Sequence, residues 1–294
     1  MRKLLGLALV TACLVISCAI VNTPFSSSQS PDGSPANAMA ELHKGDAPVA
    51  SPAVQDVAAD AVITEDVTYG TLDGTPFTGY LAKPTDASSP LPGLIVIQEW
   101  WGLNDNIRTM TRRLAAEGYT ALAVDLYDGE IAEDPDQART LVQAAIKNSD
   151  RLTQNVIAAY DYLTDEQQVP KVASIGWCFG GSWSLNTALA LPTDLDAAVI
   201  YYGGQIATDP AVLEPLQMPI QGHFGSLDTN PSPETVAAFE TALNDLGKDT
   251  EIYLYEGANH AFANPSGTRY NAEAADLAWE RTVAFLSQHL QSHS

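Results

Sequence analysis

Val172-Ala173-Ser174-Ile175-Gly176-Trp177-Cys178-Phe179-Gly180-Gly181 joins a short apolar run to a helical pattern that continues from Ser182 to Leu191. Cys178 has a glycine two residues away on each side, at Gly176 and Gly180. A sharp strand-to-helix turn strains its apex residue and crowds the flanks, so glycine is wanted there. A side chain at the apex stands at a helix N-terminus, where the dipole and free N–H groups favour a thiolate and stabilise a nearby oxyanion. The stretch has the shape of a nucleophile elbow with cysteine at its apex. The plain alternative is a structural cysteine buried in a tight turn.

Outward from this turn, short apolar runs alternate with helical patterns. Val62 to Tyr69 and Phe77 to Lys83 alternate apolar with polar residues around Asp73-Gly74, which predicts a hairpin. Further strands are expected at Leu94 to Ile97, Thr120 to Val124, Val172 to Gly176, Ala197 to Tyr202, Ile220 to Phe224 and Ile252 to Tyr255. Helices are expected near Ile107 to Glu117, Gln137 to Ile146, Leu152 to Thr164 and Ala272 to Gln291. Such alternation predicts an α/β domain with a mostly parallel central sheet and helices on both faces. In such sheets ligands bind outside the carboxyl ends of the strands.

At the N-terminus, Arg2 and Lys3 precede an apolar run from Leu4 to Ile16, followed by Ser17 and Cys18. The run is too short to span a membrane and reads as an export signal. Val15-Ile16-Ser17-Cys18 resembles the bacterial lipobox, in which the cysteine is acylated; Val10-Thr11-Ala12-Cys13 is a second fit with a shorter apolar core. The expected organisation is a lipoprotein-type signal over 1–18, a disordered tether rich in Ser, Pro, Ala and Asp over 19–60, and a catalytic domain over 61–294. The expected place is the outer face of a bacterial membrane, held by lipid on Cys18, or otherwise secreted or periplasmic. A monomer is expected. The formal net charge of −22 repels phosphate backbones and argues against nucleic acid as a partner.

With Cys13 removed and Cys18 lipidated, Cys178 is the one thiol left and has no disulfide partner. A thiol that attacks a carbonyl needs a base, and the base needs an orienting carboxylate. His260 follows the run Ile252 to Tyr255 on a loop, at a strand's carboxyl end, where a base belongs. Asp228 follows the preceding strand in Gly225-Ser226-Leu227-Asp228. The chain order nucleophile, acid, histidine is that of α/β-hydrolases. His43 in the tether and His289 and His293 in the tail read as solvated, and His223 as a satisfied core histidine.

Gln98-Glu99, Asp125-Leu126-Tyr127, the elbow at Cys178, Tyr201-Tyr202-Gly203, Gly257 to Phe262 and Glu280-Arg281-Thr282 complete the pattern. Together they resemble the dienelactone hydrolase family from about Val62 to Leu290. The resemblance implies an α/β-hydrolase fold, hydrolysis of a small-molecule ester or lactone, and a triad of Cys178, Asp228 and His260. It also implies oxyanion donors at the backbone N–H groups of Trp100 and Phe179, and an activating role at the resting thiol for Glu99. Dienelactone-cleaving members carry an arginine four residues after the histidine, to bind the substrate carboxylate. Asn264 stands there in this chain, which puts dienelactone itself in doubt and leaves Arg269 or Arg139 as substitutes. Trp100, Trp101, Tyr127 and Trp177 suggest an aromatic pocket wall.

No histidine–carboxylate spacing of the zinc type occurs, so no metal and no organic cofactor is implied. The rivals to a hydrolase are a non-catalytic binding lipoprotein that keeps the pocket, and a thiol redox protein using Cys178 alone.

Overall fold

A computed structural model describes residues 37, 39–40, 43, 45–46, 57–58, 60–87 and 89–291. The expected signal over 1–18, with Cys13 and Cys18, lies outside them. Among the described residues no helix is long and apolar enough to cross a membrane.

Eight strands form one sheet: β1 (Val62–Leu72), β2 (Thr75–Pro84), β3 (Gly93–Ile97), β4 (Thr120–Val124), β5 (Val172–Trp177), β6 (Ala197–Tyr201), β7 (Ile220–Gly225) and β8 (Thr250–Tyr255). Their spatial order is β1-β2-β4-β3-β5-β6-β7-β8. β2 runs antiparallel to both its neighbours, and every pair from β4 to β8 is parallel. The hairpin turns at Asp73 and Gly74, both with positive φ, the conformation for which the Asp-Gly pair is suited. All residues of β3, β4, β5, β6 and β7 are buried, as a parallel sheet covered on both faces requires.

From residue 60 onward the helices are α1 (Asp105–Ala116), α2 (Pro135–Lys147), α3 (Ser149–Asp161), α4 (Phe179–Ala190), the single turn α5 (Pro210–Leu213), α6 (Pro233–Asp245) and α7 (Ala272–Leu290). α3 runs on into a π-helical turn, Tyr162–Glu166. Their starts follow elementary capping chemistry. Asn104, Asp134, Ser232 and Asn271 each accept a backbone N–H of the first turn, and Pro135 and Pro233 sit where a missing N–H costs nothing.

Sequence patterning assigns no helix between the strands at Ile220 and Ile252, yet α6 lies there. Its buried stripe is only Val236, Phe239, Ala242 and Leu243, two of them small or β-branched, so periodicity is weak and the Ser232-Pro233 cap is the stronger signal.

His223 is a core histidine, as expected. In β7 its Nε2 lies 2.8 Å from Gln221 Oε1 and 3.0 Å from Thr282 Oγ1, and its Nδ1 lies 2.8 Å from the Tyr255 hydroxyl. Burial, with the nearby charge of Arg281, lowers its pKa from 6.5 to about 3. The unfolded chain therefore binds one more proton than the native chain between those values, and stability falls as pH drops through that window. Urea unfolding should show this as a slope of up to about 1.4 kcal/mol per pH unit, reduced in His223→Asn.

Candidate active site

Four strand ends bring the chemistry together. Glu99 lies two residues past β3, Cys178 immediately past β5, Asp228 three past β7 and His260 five past β8. Cys178 has φ +57° and ψ −115°, a strained backbone for a residue with a Cβ, and immediately precedes α4. A Cβ on Gly176 would lie 2.1 Å from the Gly180 carbonyl oxygen, and one on Gly180 would lie 2.3 Å from the Ile97 carbonyl oxygen. Only glycine fits at these two positions.

His260 Nδ1 lies 2.9 Å from Asp228 Oδ2, and His260 Nε2 lies 3.3 Å from Cys178 Sγ. The three sequence candidates thus come within hydrogen-bonding reach of one another, and all are buried. The second Asp228 oxygen accepts the Asn230 N–H at 2.8 Å. Ile97 pairs with Gly176 across β3 and β5, so Trp100 and Phe179 each stand three residues beyond that pair, on adjacent strand ends. The Phe179 N–H, the first of α4, acts on the Cys178 sulfur in the direction that favours its thiolate.

A helix N-terminus favours a thiolate, but here burial outweighs it. Desolvation, then the charge of Glu99, pushes the Cys178 thiol well above its ordinary value. Glu99 is itself raised to about 8, by burial first and by the nearby Asp46 second, against the hydrogen bonds from Tyr202 and Asn264. Asn264 Nδ2 donates to Glu99 Oε2 at 2.5 Å. The neutral amide at 264 is thus engaged by the glutamate, and a charged arginine in its place would favour the ionised acid.

Trp100 and Trp101 are buried with ring centroids 4.7 Å apart, and Tyr127 packs on Phe179 at 5.6 Å. Arg139 is surface-exposed and pairs with Asp136 on its own helix at 2.8 Å, rather than with any group of the site. A cavity of about 360 Å³ is lined by Met110, Arg113, Trp177, Tyr270 and Trp279. A smaller one beside it reaches Glu99, Tyr202 and Asn264. Neither is lined by Cys178, because another side chain covers the sulfur.

That side chain is His43. Expected to be solvated, it is fully buried, with Nε2 3.2 Å from Cys178 Sγ and its ring stacked on Trp100 at 4.5 Å. Its Nδ1 lies 2.9 Å from Asp46 Oδ2. Asp46 also accepts the Thr268 N–H at 2.9 Å, the Thr268 hydroxyl at 2.7 Å and the Arg269 guanidinium at 2.7 Å. Burial opposes the Asp46 charge, but the bonds from His43 and Thr268 and the Arg269 charge outweigh it and hold the carboxyl at about 2. Burial lowers His43 to about 4, against the raising effect of Asp46. Arg269, a candidate for substrate, is therefore occupied by Asp46. Nothing in local sequence patterning marks His43 or Asp46, since both lie outside every regular element that patterning detects.

Residues 77–290 match the family model described as the dienelactone hydrolase family. The chain belongs to the dienelactone hydrolase family. A Saccharolobus solfataricus relative named "Putative carboxymethylenebutenolidase" is 34% identical over 254 residues, 73% of this chain and 95% of that protein. A Synechocystis protein of the same name is 31% identical, over 72% of this chain and 92% of that one. Among solved structures, a dienelactone hydrolase-like promiscuous phosphotriesterase from metagenomic libraries aligns with a TM-score of 0.72 and 28% identity, over 78% of this chain and 99% of that one. The eight-stranded sheet and its helices in this dienelactone hydrolase family member are thus those of an α/β-hydrolase, as the resemblance of its motifs implies.

For Glu99 the sign of the pH effect is opposite to that of His223. Its native pKa of about 8 exceeds the ordinary 4.5, so the native state holds an extra proton between those values and loses stability as pH rises. Glu99→Gln, which keeps the shape of the protonated acid, should melt higher than wild type at pH 8 and nearer to it at pH 5, by calorimetry at the two pH values.

Proposed function

We propose that this family member hydrolyses a carboxylic ester or lactone by covalent catalysis at Cys178. The observation that carries the reading is the position of His260, with one ring nitrogen 3.3 Å from the sulfur and the other 2.9 Å from Asp228. His260 Nε2 takes the thiol proton as the sulfur attacks the substrate carbonyl. Asp228 accepts the Nδ1–H, which fixes the tautomer and stabilises the imidazolium that forms. The N–H groups of Trp100 and Phe179 hold the oxyanion. As the tetrahedral intermediate collapses, His260 returns the proton to the departing alkoxide, leaving a thioester on Cys178. Water, deprotonated by the same nitrogen, then attacks the thioester and releases the acid and the thiol. His43 covers the sulfur, so substrate enters only as that ring withdraws from its place between Trp100 and the thiol.

Asn264 carries no charge and is bonded to Glu99, so the substrate is not dienelactone itself on this reading. Tyr127, Trp100 and Trp101 supply the apolar wall against which the acyl or alkoxy group packs. We propose further that the chain is exported and held at a membrane by lipid on Cys18, acting as a monomer. Mass spectrometry of the mature N-terminus should find diacylglycerol on Cys18; an unmodified later start overturns the anchor.

The hydrolase reading is tested with an activated ester such as a p-nitrophenyl ester. Cys178→Ala should lose at least about 10³-fold in kcat/KM, and Asp228→Asn about 10⁴-fold at neutral pH through the wrong imidazole tautomer. Turnover at the wild-type rate in Cys178→Ala refutes the nucleophile.

A further inference from the structure

His43 and His260 are presented to one sulfur in the same way. Each has Nδ1 2.9 Å from an aspartate oxygen, Asp46 for the first and Asp228 for the second. Each turns Nε2 toward Cys178 Sγ, at 3.2 Å and 3.3 Å.

Proton accounting shows what this arrangement lacks. Asp46 is an acceptor on every side, toward Thr268 N–H, Thr268 Oγ1 and Arg269, so the 2.9 Å contact with His43 Nδ1 requires the hydrogen to sit on that nitrogen. Arg269 also approaches His43 Nδ1, but at 3.4 Å, against 2.7 Å to the carboxylate, which is its real partner. His43 Nε2 therefore presents a lone pair to the sulfur. His260 Nε2, with Nδ1 donating to Asp228, does the same. A single S–H proton can serve one of these nitrogens and leaves the other facing sulfur lone pairs in a fully buried site. One positive charge placed among the three atoms removes the conflict, and burial disfavours a second proton there.

We propose that His43, Cys178 and His260 bind a soft divalent cation, with zinc the best match, and that the bound ion locks His43 over the thiol and switches hydrolysis off. The three ligand atoms all lie within 4.8 Å of one another. Zinc–nitrogen and zinc–sulfur bonds of about 2.0 and 2.3 Å at tetrahedral angles set nitrogen and sulfur about 3.5 Å apart. The observed nitrogen–sulfur distances of 3.2 and 3.3 Å open by a few tenths of an ångström. The two imidazole nitrogens, which lie within 4.8 Å of each other, draw together to the roughly 3.3 Å that two zinc–nitrogen bonds at a tetrahedral angle set, a shift of the His43 ring toward His260. Asp46 and Asp228 supply the outer shell, each accepting the second ring N–H of a ligating imidazole. On binding, the Cys178 proton goes to solvent and the thiolate becomes a ligand, so it no longer attacks an ester. No zinc motif is visible in the sequence because the ligands come from three segments 82 and 135 residues apart. The inhibitory consequence rests on the hydrolase reading; the binding does not.

The test uses the full chain, stripped of metal with chelator. Titration with Co²⁺ should give one bound ion per chain, with a thiolate-to-cobalt charge-transfer band in the near ultraviolet and strong tetrahedral bands in the visible. Competition with Zn²⁺ should remove the spectrum. Asp46→Asn should weaken Zn²⁺ about 10- to 100-fold, and His43→Ala, which loses a ligand outright, by more than that. Far-ultraviolet circular dichroism checks that both variants fold. Stoichiometric Zn²⁺ should suppress ester turnover in wild type and not in His43→Ala, and chelator should restore it. Absence of the charge-transfer band, or wild-type affinity in His43→Ala, overturns the site. A cobalt spectrum from a chain that hydrolyses no ester leaves the metal site standing and refutes the enzymatic reading instead.

Discussion

The rest of the molecule hangs on the contact between Gly176 and Gly180 across Cys178. The two backbones approach so closely that neither position tolerates a Cβ, and Gly180 in turn rests on the end of β3 at Ile97. This contact locks the start of α4 against the paired ends of β5 and β3. It turns the chain sharply enough that Cys178 adopts a positive φ, at a cost on the order of 1–3 kcal/mol. Backbone bonds from the Cys178 N–H to Tyr201 and from the Ser182 N–H to Cys178 hold the residue in that conformation. The strain lifts the sulfur out of the sheet edge to where the loops after β7 and β8 deliver Asp228 and His260.

Electrostatics at the site are set by burial more than by the acidity of the chain. The protein carries a net charge of −22, yet Glu99 and Asp46, both in the site, settle in opposite states. Asp46 has a guanidinium, an amide and a hydroxyl on it and stays ionised. Among the described residues Glu99 has the Asn264 amide and a long contact to Tyr202, and burial and the charge of Asp46 outweigh these and raise it to about 8. The difference bears on the thiol, because after burial the charge of an ionised Glu99 is the next largest cause that raises the Cys178 pKa. Asn264 brings a hydrogen bond to Glu99 but no positive charge, which links the amide standing where dienelactone-cleaving members carry an arginine to the resting state of the Cys178 thiol.

The parallel sheet was legible because its strands are continuous apolar runs with β-branched residues, and the elbow because glycine spacing around Cys178 reports a local backbone constraint. Asp228 and His260 were legible by position, each in a short loop after a run that could only be a strand. α6 was not, since its buried stripe is short and half of it is small or β-branched. Glu99 and Asn264 could each be singled out, the first through family resemblance and the second as a departure from it, but their mutual bond could not.

What the sequence determined alone are the features encoded in neighbouring residues: strand and helix periodicity, the Asp73-Gly74 turn, helix caps, the elbow and the order of its catalytic candidates. What only the tertiary structure decided are the meetings of distant segments: Asn264 on Glu99, Arg269 on Asp46, and His43 on Cys178 across 135 residues. The physical reason is that periodicity and turn chemistry are written within a few residues of the chain. A contact between a segment without regular periodicity and a strand end depends on the shape of the folded surface, which exists only once the sheet has formed.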